Sequence, residues 1–327
     1  MSMPPALAAH RPAAPGLLAR LQQAMSRRRP GQLCPTGRPG WLRLTGLTRL
    51  AGLAGLTALL VAAPAAAAPG GLPTNVGHAD GSPQWDKLRT QLFADRPLRS
   101  GSDSLVQLIV PLRAAYGASV PVKIVSKLPQ TPERYVKRMT LLVDKNPSPV
   151  AATLTLTPEL GQADFETRLR VDEYGHVRVV AELNNGELHT DSRYVKVSGG
   201  CSAPPNREHP ELIGKTQFRL PNGLIPGQPT AAEVSVMHPN DTGFELNQVT
   251  VMFIPPHFVR SMKVQYAGRP LFEAETDFSI SENPSWRFNF VPRGATGVLS
   301  AEVEDTKEGR FRGQLDLATS QNTAVSQ

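Results

Sequence analysis

One residue in this sequence can do covalent chemistry from a position that invites it: Cys201, in the stretch "YVKVSGGCSAPPN" (Tyr194–Asn206). A strand-like alternation of Tyr194, Val195 and Val197 runs into Gly199 and Gly200, then the cysteine, then Ser202 and the pair Pro204 and Pro205. A thiolate attacks disulfide or persulfide sulfur and holds the product as a covalent adduct. The two glycines free the backbone on one side. The prolines stiffen the other side and resist a central strand. A cysteine inside a strand is more often a buried, inert one, but both flanks here argue against burial. The spacing therefore predicts an accessible thiol on an arm that reaches about 15–20 Å from the strands before it.

Other chemistry is hard to find. The sequence holds no dinucleotide fingerprint, phosphate loop, nucleophile elbow, zinc-protease helix or haem-attachment motif. His78, His176, His189, His209, His238 and His257 are scattered without the pairing of a metal site, so no metal and no cofactor are expected. His189 and His209 flank the arm in sequence, and either would lower the thiol's pKa if folded against it. The carboxylates of "EAETD" and "EVEDTKEG" fit the solvated faces of strands rather than an acid–base pair. Asn240-Asp241-Thr242 matches a glycosylation sequon, a pattern frequent by chance. An enzyme using Cys201 as its nucleophile lacks a visible orienting base, so a non-enzyme is expected.

The N-terminal region changes how charge and cysteines are counted. Residues 1–68 contain eight arginines and no acidic residue, followed within them by an apolar run of 14 residues, Leu50 to Ala63, and the block "APAAAAPGG". A basic region, a short apolar core and small residues at a cleavage position make a secretory signal. The run is short of the roughly 20 residues that span a bilayer. A general secretory route is favoured, since "SRRRP" lies far from the apolar run. Removing this segment takes the formal charge from +7 to −1 (7 − 8), so the basic balance implies no nucleic-acid partner. Cys34 leaves as well, and Cys201 becomes the one cysteine of the exported chain this reading expects. Such a thiol either pairs between molecules or is used by chemistry.

The elements that must position it follow a clear pattern. "PQWDKLRTQLFAD" (Pro83–Asp95) has Trp85, Leu88, Leu92 and Phe93 at helical spacing, an N-terminal amphipathic helix. From there to Val197 the period is two, with about seven strand segments parted by Gly, Pro and Asn turns; Asn185-Gly186 is a hairpin signal. After residues 198–210 a second all-β run follows, including "NQVTVMFIPPHF" as one of its strands, and the end of the chain is polar. The reading is all-β: two immunoglobulin-like β-sandwiches, 83–198 and 210–318, joined by a short Gly/Pro arm, 199–209.

With these residues in view, the chain resembles a known family. A sandwich ending in "YVKVSGGC" resembles SoxY of sulfur oxidation, including thiosulfate oxidation, which carries intermediates on a cysteine in a Gly-rich tail. "VMHPNDTGF" and "IPPHFVRSMKVQYAGRPLFEAETDFSISENPSWRFNF" are similar to SoxZ. Together with "DKNPSPVA" and "RYVKVSGGCSAP", they resemble the fused SoxYZ-like carriers associated with quinoprotein dehydrogenases, over about residues 83–318. The resemblance implies two sandwiches paired face to face within the chain, with no membrane contact after signal cleavage. It implies Cys201 as the covalent attachment point on an arm of Gly199, Gly200 and Ser202. It implies periplasmic redox or sulfur-transfer enzymes as partners, a quinoprotein dehydrogenase among them. Ser202 departs from the family's glycine, and the arm is anchored at both ends instead of ending freely. The alternative is a non-catalytic accessory module of such a dehydrogenase, with Cys201 vestigial.

Overall fold

The structure, a computed structural model, describes residues 81–318 except 225 and 295; the expected signal segment and the polar C-terminal tail lie outside the described residues. Ser82 caps a helix α1 (Pro83–Phe93) by accepting a hydrogen bond from the Trp85 N–H, and Pro83 opens its first turn. The helix buries Trp85 and Phe93, with the Trp85 ring 4.6 Å from the guanidinium carbon of Arg178. Arg178 is itself paired with Asp144 at 2.9 Å, both buried. Among the described residues no helix is long and apolar enough to cross a membrane.

The rest is β-structure, as expected. The first half supplies β1 (Leu98–Arg99), β2 (Val106–Ile109), β3 (Val120–Ser126), β4 (Val136–Val143), β5 (Val150–Leu156), β6 (Gln162–Leu169), β7 (Gly175–Leu183) and β8 (Leu188–Val195). The second supplies β9 (Thr216–Arg219), β10 (Thr230–Val236), β11 (Val259–Tyr266), β12 (Arg269–Thr276), β13 (Ser285–Phe290), β14 (Val298–Asp305) and β15 (Arg310–Asp316). The Asn185-Gly186 hairpin is present, with Gly186 at a φ of 88° that its turn requires. All ladders are antiparallel except the short β1–β8 pair.

The two halves are not stacked face to face. They join edge to edge, and both sheets run through the junction. One layer has the order β1-β8-β7-β4-β5-β12-β11-β14-β15, the other β2-β3-β6-β13-β10-β9. The junction pairs β5 with β12, from Leu156↔Phe272 to Ala152↔Thr276, and β6 with β13, including Phe165↔Phe288. Edge strands left open would template aggregation, so pairing them within one chain removes two edges from each half. Buried aromatic residues close the seam. Phe165 of the first half meets Phe272 at 5.2 Å and Trp286 at 6.2 Å, both edge-on, and Phe272 meets Phe288 at 5.1 Å. Such pairs contribute about 0.5–1.5 kcal/mol each beyond the area they bury.

One expected strand is absent. "NQVTVMFIPPHF" forms a loop, with an isolated bridge between Leu246 and Phe253. The Asn247 side chain accepts the N–H groups of Val249 and Thr250, and Val251 sits at a φ of 53°. Pro255 and Pro256 then offer no N–H to a ladder. Val249, Val251, Met252 and Phe253 are left in solvent, Val249 at 90% exposure and Phe253 at 66%.

Candidate functional site

Cys201 follows β8 on the loop that links the two halves, and it is not exposed. Its relative exposure is 1%, which corrects the expectation of an accessible thiol on a free arm. The reason is that the loop's backbone is bonded down. Gly199 donates to the Asp172 carbonyl at 2.8 Å, Gly200 to the Val171 carbonyl at 3.0 Å, and Cys201 to the Asp172 carboxylate at 3.3 Å. Gly200 is there for close approach: a Cβ would sit 2.3 Å from the Gly117 carbonyl oxygen and 2.5 Å from that of Val171. Gly199, at a φ of 74°, makes the turn that leads into this seat. Ser202 is exposed.

The carbonyls of the loop are held too. Thr242 Oγ1 donates to the Cys201 carbonyl at 2.5 Å. Arg170, 1% exposed, donates through Nη1 to the carbonyls of Gly200 (3.1 Å) and Ala203 (3.2 Å), and through Nη2 to that of Asn240 (3.4 Å). Farther along, Asn206 donates to Glu282 at 2.8 Å, and Arg207 pairs with Asp241 and Glu245. Gly117, Arg170, Val171 and Asp172 come from the first half; Asn240 and Thr242 come from the second. The cysteine therefore sits at the seam, in a seat that neither half makes alone.

Burial pushes the Cys201 thiol up to about 12 from an ordinary value near 9. The Asp172 charge adds to this and Asp277 contributes a smaller push; the Arg170 guanidinium opposes them. At neutral pH the seated cysteine is a neutral thiol and a poor nucleophile. Neither flanking histidine acts on it. His189 is buried with Nδ1 accepting the Leu105 N–H at 3.3 Å, and His209 is exposed beside Glu211.

The sequence reading missed Arg170, Asp172 and Thr242. The Asn240-Asp241-Thr242 triplet is the one visible signal, and as a sequon match it is a pattern frequent by chance. Asn240 is fully buried, its side-chain amide donating to Ile280 and accepting from Val259, so in the folded chain it is a brace. Also missed was a cluster of His238, His257 and Asp305, separated in sequence but joined by the second half's sheet. Asp305 Oδ2 accepts from His257 Nε2 at 2.8 Å and lies 3.5 Å from His238 Nε2, and the two Nε2 atoms are 3.3 Å apart. Their donor atoms all fall within 4.8 Å of one another, close enough for a metal. The proton count opposes one, because His238 Nδ1 accepts the Asn240 N–H at 3.1 Å. A neutral ring then carries its proton on Nε2 and presents a donor, not a lone pair. Burial first, then the neighbouring His257 charge, pushes His238 down to about 4. For Asp305 burial works upward, but the hydrogen bonds from His257, Gly309 and Lys307 win and hold it below its usual range. The three side chains form a hydrogen-bonded triad that braces the segment leading to Thr242.

Comparison with known proteins divides the chain at this same loop. Residues 89–201 match the family model described as sulfur oxidation protein SoxY, ending on Cys201. Residues 219–316 match the one described as sulphur oxidation protein SoxZ. Among solved structures, the sulfur carrier protein SoxY from Chlorobium limicola f thiosulfatophilum is similar over 35% of this chain and 91% of its own, at 24% identity and a TM-score of 0.29. Superoxide reductase (neelaredoxin) from Ignicoccus hospitalis is similar over 31% of this chain and 95% of its own, at 11% identity and a TM-score of 0.28. No curated protein matches the chain.

Proposed function

Because the chain belongs to the SoxY and SoxZ families, a SoxY domain followed by a SoxZ domain, we propose that it carries sulfur intermediates covalently on Cys201. It presents them to partner enzymes and is not itself a catalyst. The signal segment read from the sequence supports a periplasmic setting, with sulfur-transfer or redox enzymes, a quinoprotein dehydrogenase among them, as partners. One observation carries the reading: Cys201 is the free cysteine of the described residues and sits at the seam of the two domains, in a loop held by polar bonds rather than by apolar packing. Polar bonds exchange readily with water, each worth about 0.5–1.5 kcal/mol net, so such a loop can leave and return.

The resting thiol is protected while seated, which suits an oxidising compartment. Undocking returns it to an ordinary acidity and to nucleophilic competence. With a persulfide donor, the Cys201 thiolate attacks the outer sulfur. The Sγ–S bond forms, the donor's S–S bond breaks, and the donor leaves as a thiolate that takes up the proton Cys201 gave up. No external oxidant is needed for this transfer. The apolar tip at Val249–Phe253 begins seven residues after Thr242 in the chain and offers a protein partner an exposed contact surface, which supports presentation to an enzyme.

The test uses the full chain with Cys34→Ser, so that Cys201 is its one thiol. Incubation with a small-molecule persulfide should add the mass of one sulfur atom, and Cys201→Ser should abolish it. Absence of the adduct, or its persistence in Cys201→Ser, overturns the carrier reading. The burial of Cys201 favours a second reading, an accessory module in which the cysteine is structural. That reading predicts no loading together with a large loss of melting temperature in Cys201→Ser.

A further inference from the structure

Arg170 follows the last residue of β6, and all of its side-chain hydrogen bonds go to the carrier loop or to Asn240. Its Nη1 straddles the cysteine, bonded to the carbonyls of Gly200 and Ala203 on either side of Cys201 and Ser202. Its Nε is buried without a partner, and no carboxylate lies within ion-pair distance of it among the described residues. Its own backbone is fixed by Asn146, which donates to the Arg170 carbonyl at 2.7 Å and accepts the Asp172 N–H at 2.9 Å.

A guanidinium buried among neutral carbonyls is an unusual choice for permanent structure. Desolvating the charge is costly, and that cost offsets much of what its hydrogen bonds contribute. When the loop leaves, two of the three bonds are lost but water regains the charge. The two states are thereby brought close in free energy, which an apolar anchor would not do. Arginine suits the task better than lysine, because its planar fork reaches several carbonyls at once. Burial is the largest influence on the Arg170 pKa and lowers it.

We propose that Arg170 is a positioning residue that latches the carrier loop, holding the carbonyls on both sides of Cys201 when the loop is docked and releasing both when it undocks for loading. This rests on the reading of Cys201 as the carrier. The latch is tested on the full chain with Cys34→Ser by the rate of iodoacetamide labelling at Cys201. Arg170→Gln should label about tenfold faster or more, since charged hydrogen bonds to the loop are lost. Arg170→Lys should fall between, as one ammonium satisfies part of the set. Val303→Ala, a core truncation in the second half, is the control for general destabilisation and should label at the parental rate. Parental labelling in Arg170→Gln overturns the latch, as does equal acceleration in Val303→Ala. Should the Gln variant not fold, Arg170→Lys carries the test: faster labelling at a parental melting temperature supports the latch, and parental labelling overturns it. Persulfide loading of the same variants separates the two readings. A fast-labelling variant that takes up no sulfur sinks the carrier and leaves the latch. Loading with unchanged labelling in Arg170→Gln sinks the latch and leaves the carrier.

Discussion

Residues 198–206 and residues 247–253 are two loops that each do the opposite of what their composition suggests. Residues 198–206, "SGGCSAPPN", have almost no apolar side chains, yet Gly200, Cys201 and Pro205 are buried. Residues 247–253, "NQVTVMF", are rich in β-branched and aromatic residues, yet their tip stands in water. The difference lies in where the backbone groups go. In the first loop, N–H and carbonyl groups find partners on the protein, so burial leaves little unsatisfied. In the second, Asn247 caps its neighbours locally and two prolines withhold donors, so no sheet edge can take the segment in.

The largest effect that would break this comparison is at Gly200. In Gly200→Ala the new carbon would meet two carbonyl oxygens at 2.3 and 2.5 Å, and neither is a side chain that can turn away. The docked loop should be excluded, and Cys201 should label more than about a hundredfold faster than in the parent, because strain of this kind exceeds the few kcal/mol the loop's bonds supply. Gly199→Ala meets no neighbour within 4 Å but must hold a φ of 74°, which costs about 1–2 kcal/mol, so roughly tenfold is expected there. Equal labelling of both variants and the parent would mean that the loop is not seated in solution.

A smaller effect follows from acidity. The docked thiol is pushed up to about 12 and the undocked one has an ordinary value near 9, so the docked state holds its proton more tightly. Docking is therefore at full strength below pH 9 and weakens as pH rises from there toward 12, by about tenfold per pH unit. Thiolate absorbance of the Cys34→Ser chain, taken as a difference against the chain that also carries Cys201→Ser, gives the midpoint. It should lie above 9 in the parent and fall back toward 9 in Gly200→Ala. A parental midpoint at the ordinary value would remove the distinction between the two loops.

Much of this architecture was legible in the sequence, because alternation survives wherever one face of a strand is buried. β3 and β6 show it plainly, and the helix start at Ser82 and Pro83 is marked by its own capping chemistry. The edge-to-edge junction was not legible. β5 and β12 read as strands, but nothing in their residues names which edge each will pair with. Arg170 was hidden by its parity: it continues the series of Glu166 and Arg168, which points away from the core along β6. The strand ends at Leu169, and the next residue turns inward. The seat of Cys201 was hidden for a related reason. Glycine next to cysteine reads as freedom, whereas here Gly200 permits two backbones to touch. His238, His257 and Asp305 left no local trace, since only the ladder of β11 with β14 and the chain after β10 bring them together.

The smallest expected effect is at the apolar tip, and it sharpens the contrast by what does not change. Val249 is 90% exposed and Phe253 is 66% exposed, so neither packs against the core in a way that folding depends on. A Val249→Ser, Phe253→Ser double variant should keep its stability within about ±0.5 kcal/mol, the usual range for surface changes. Cys201 labelling should also match the parent, since Thr242 and Arg170, not the tip, hold the loop. Binding of a hydrophobic dye should fall, because contiguous exposed apolar surface is what such dyes report. Valine and phenylalanine kept in water at no benefit to the fold point to a use outside it. A clear drop in melting temperature would place the tip against the body of the protein, and the opposition between the two loops would fail on that side.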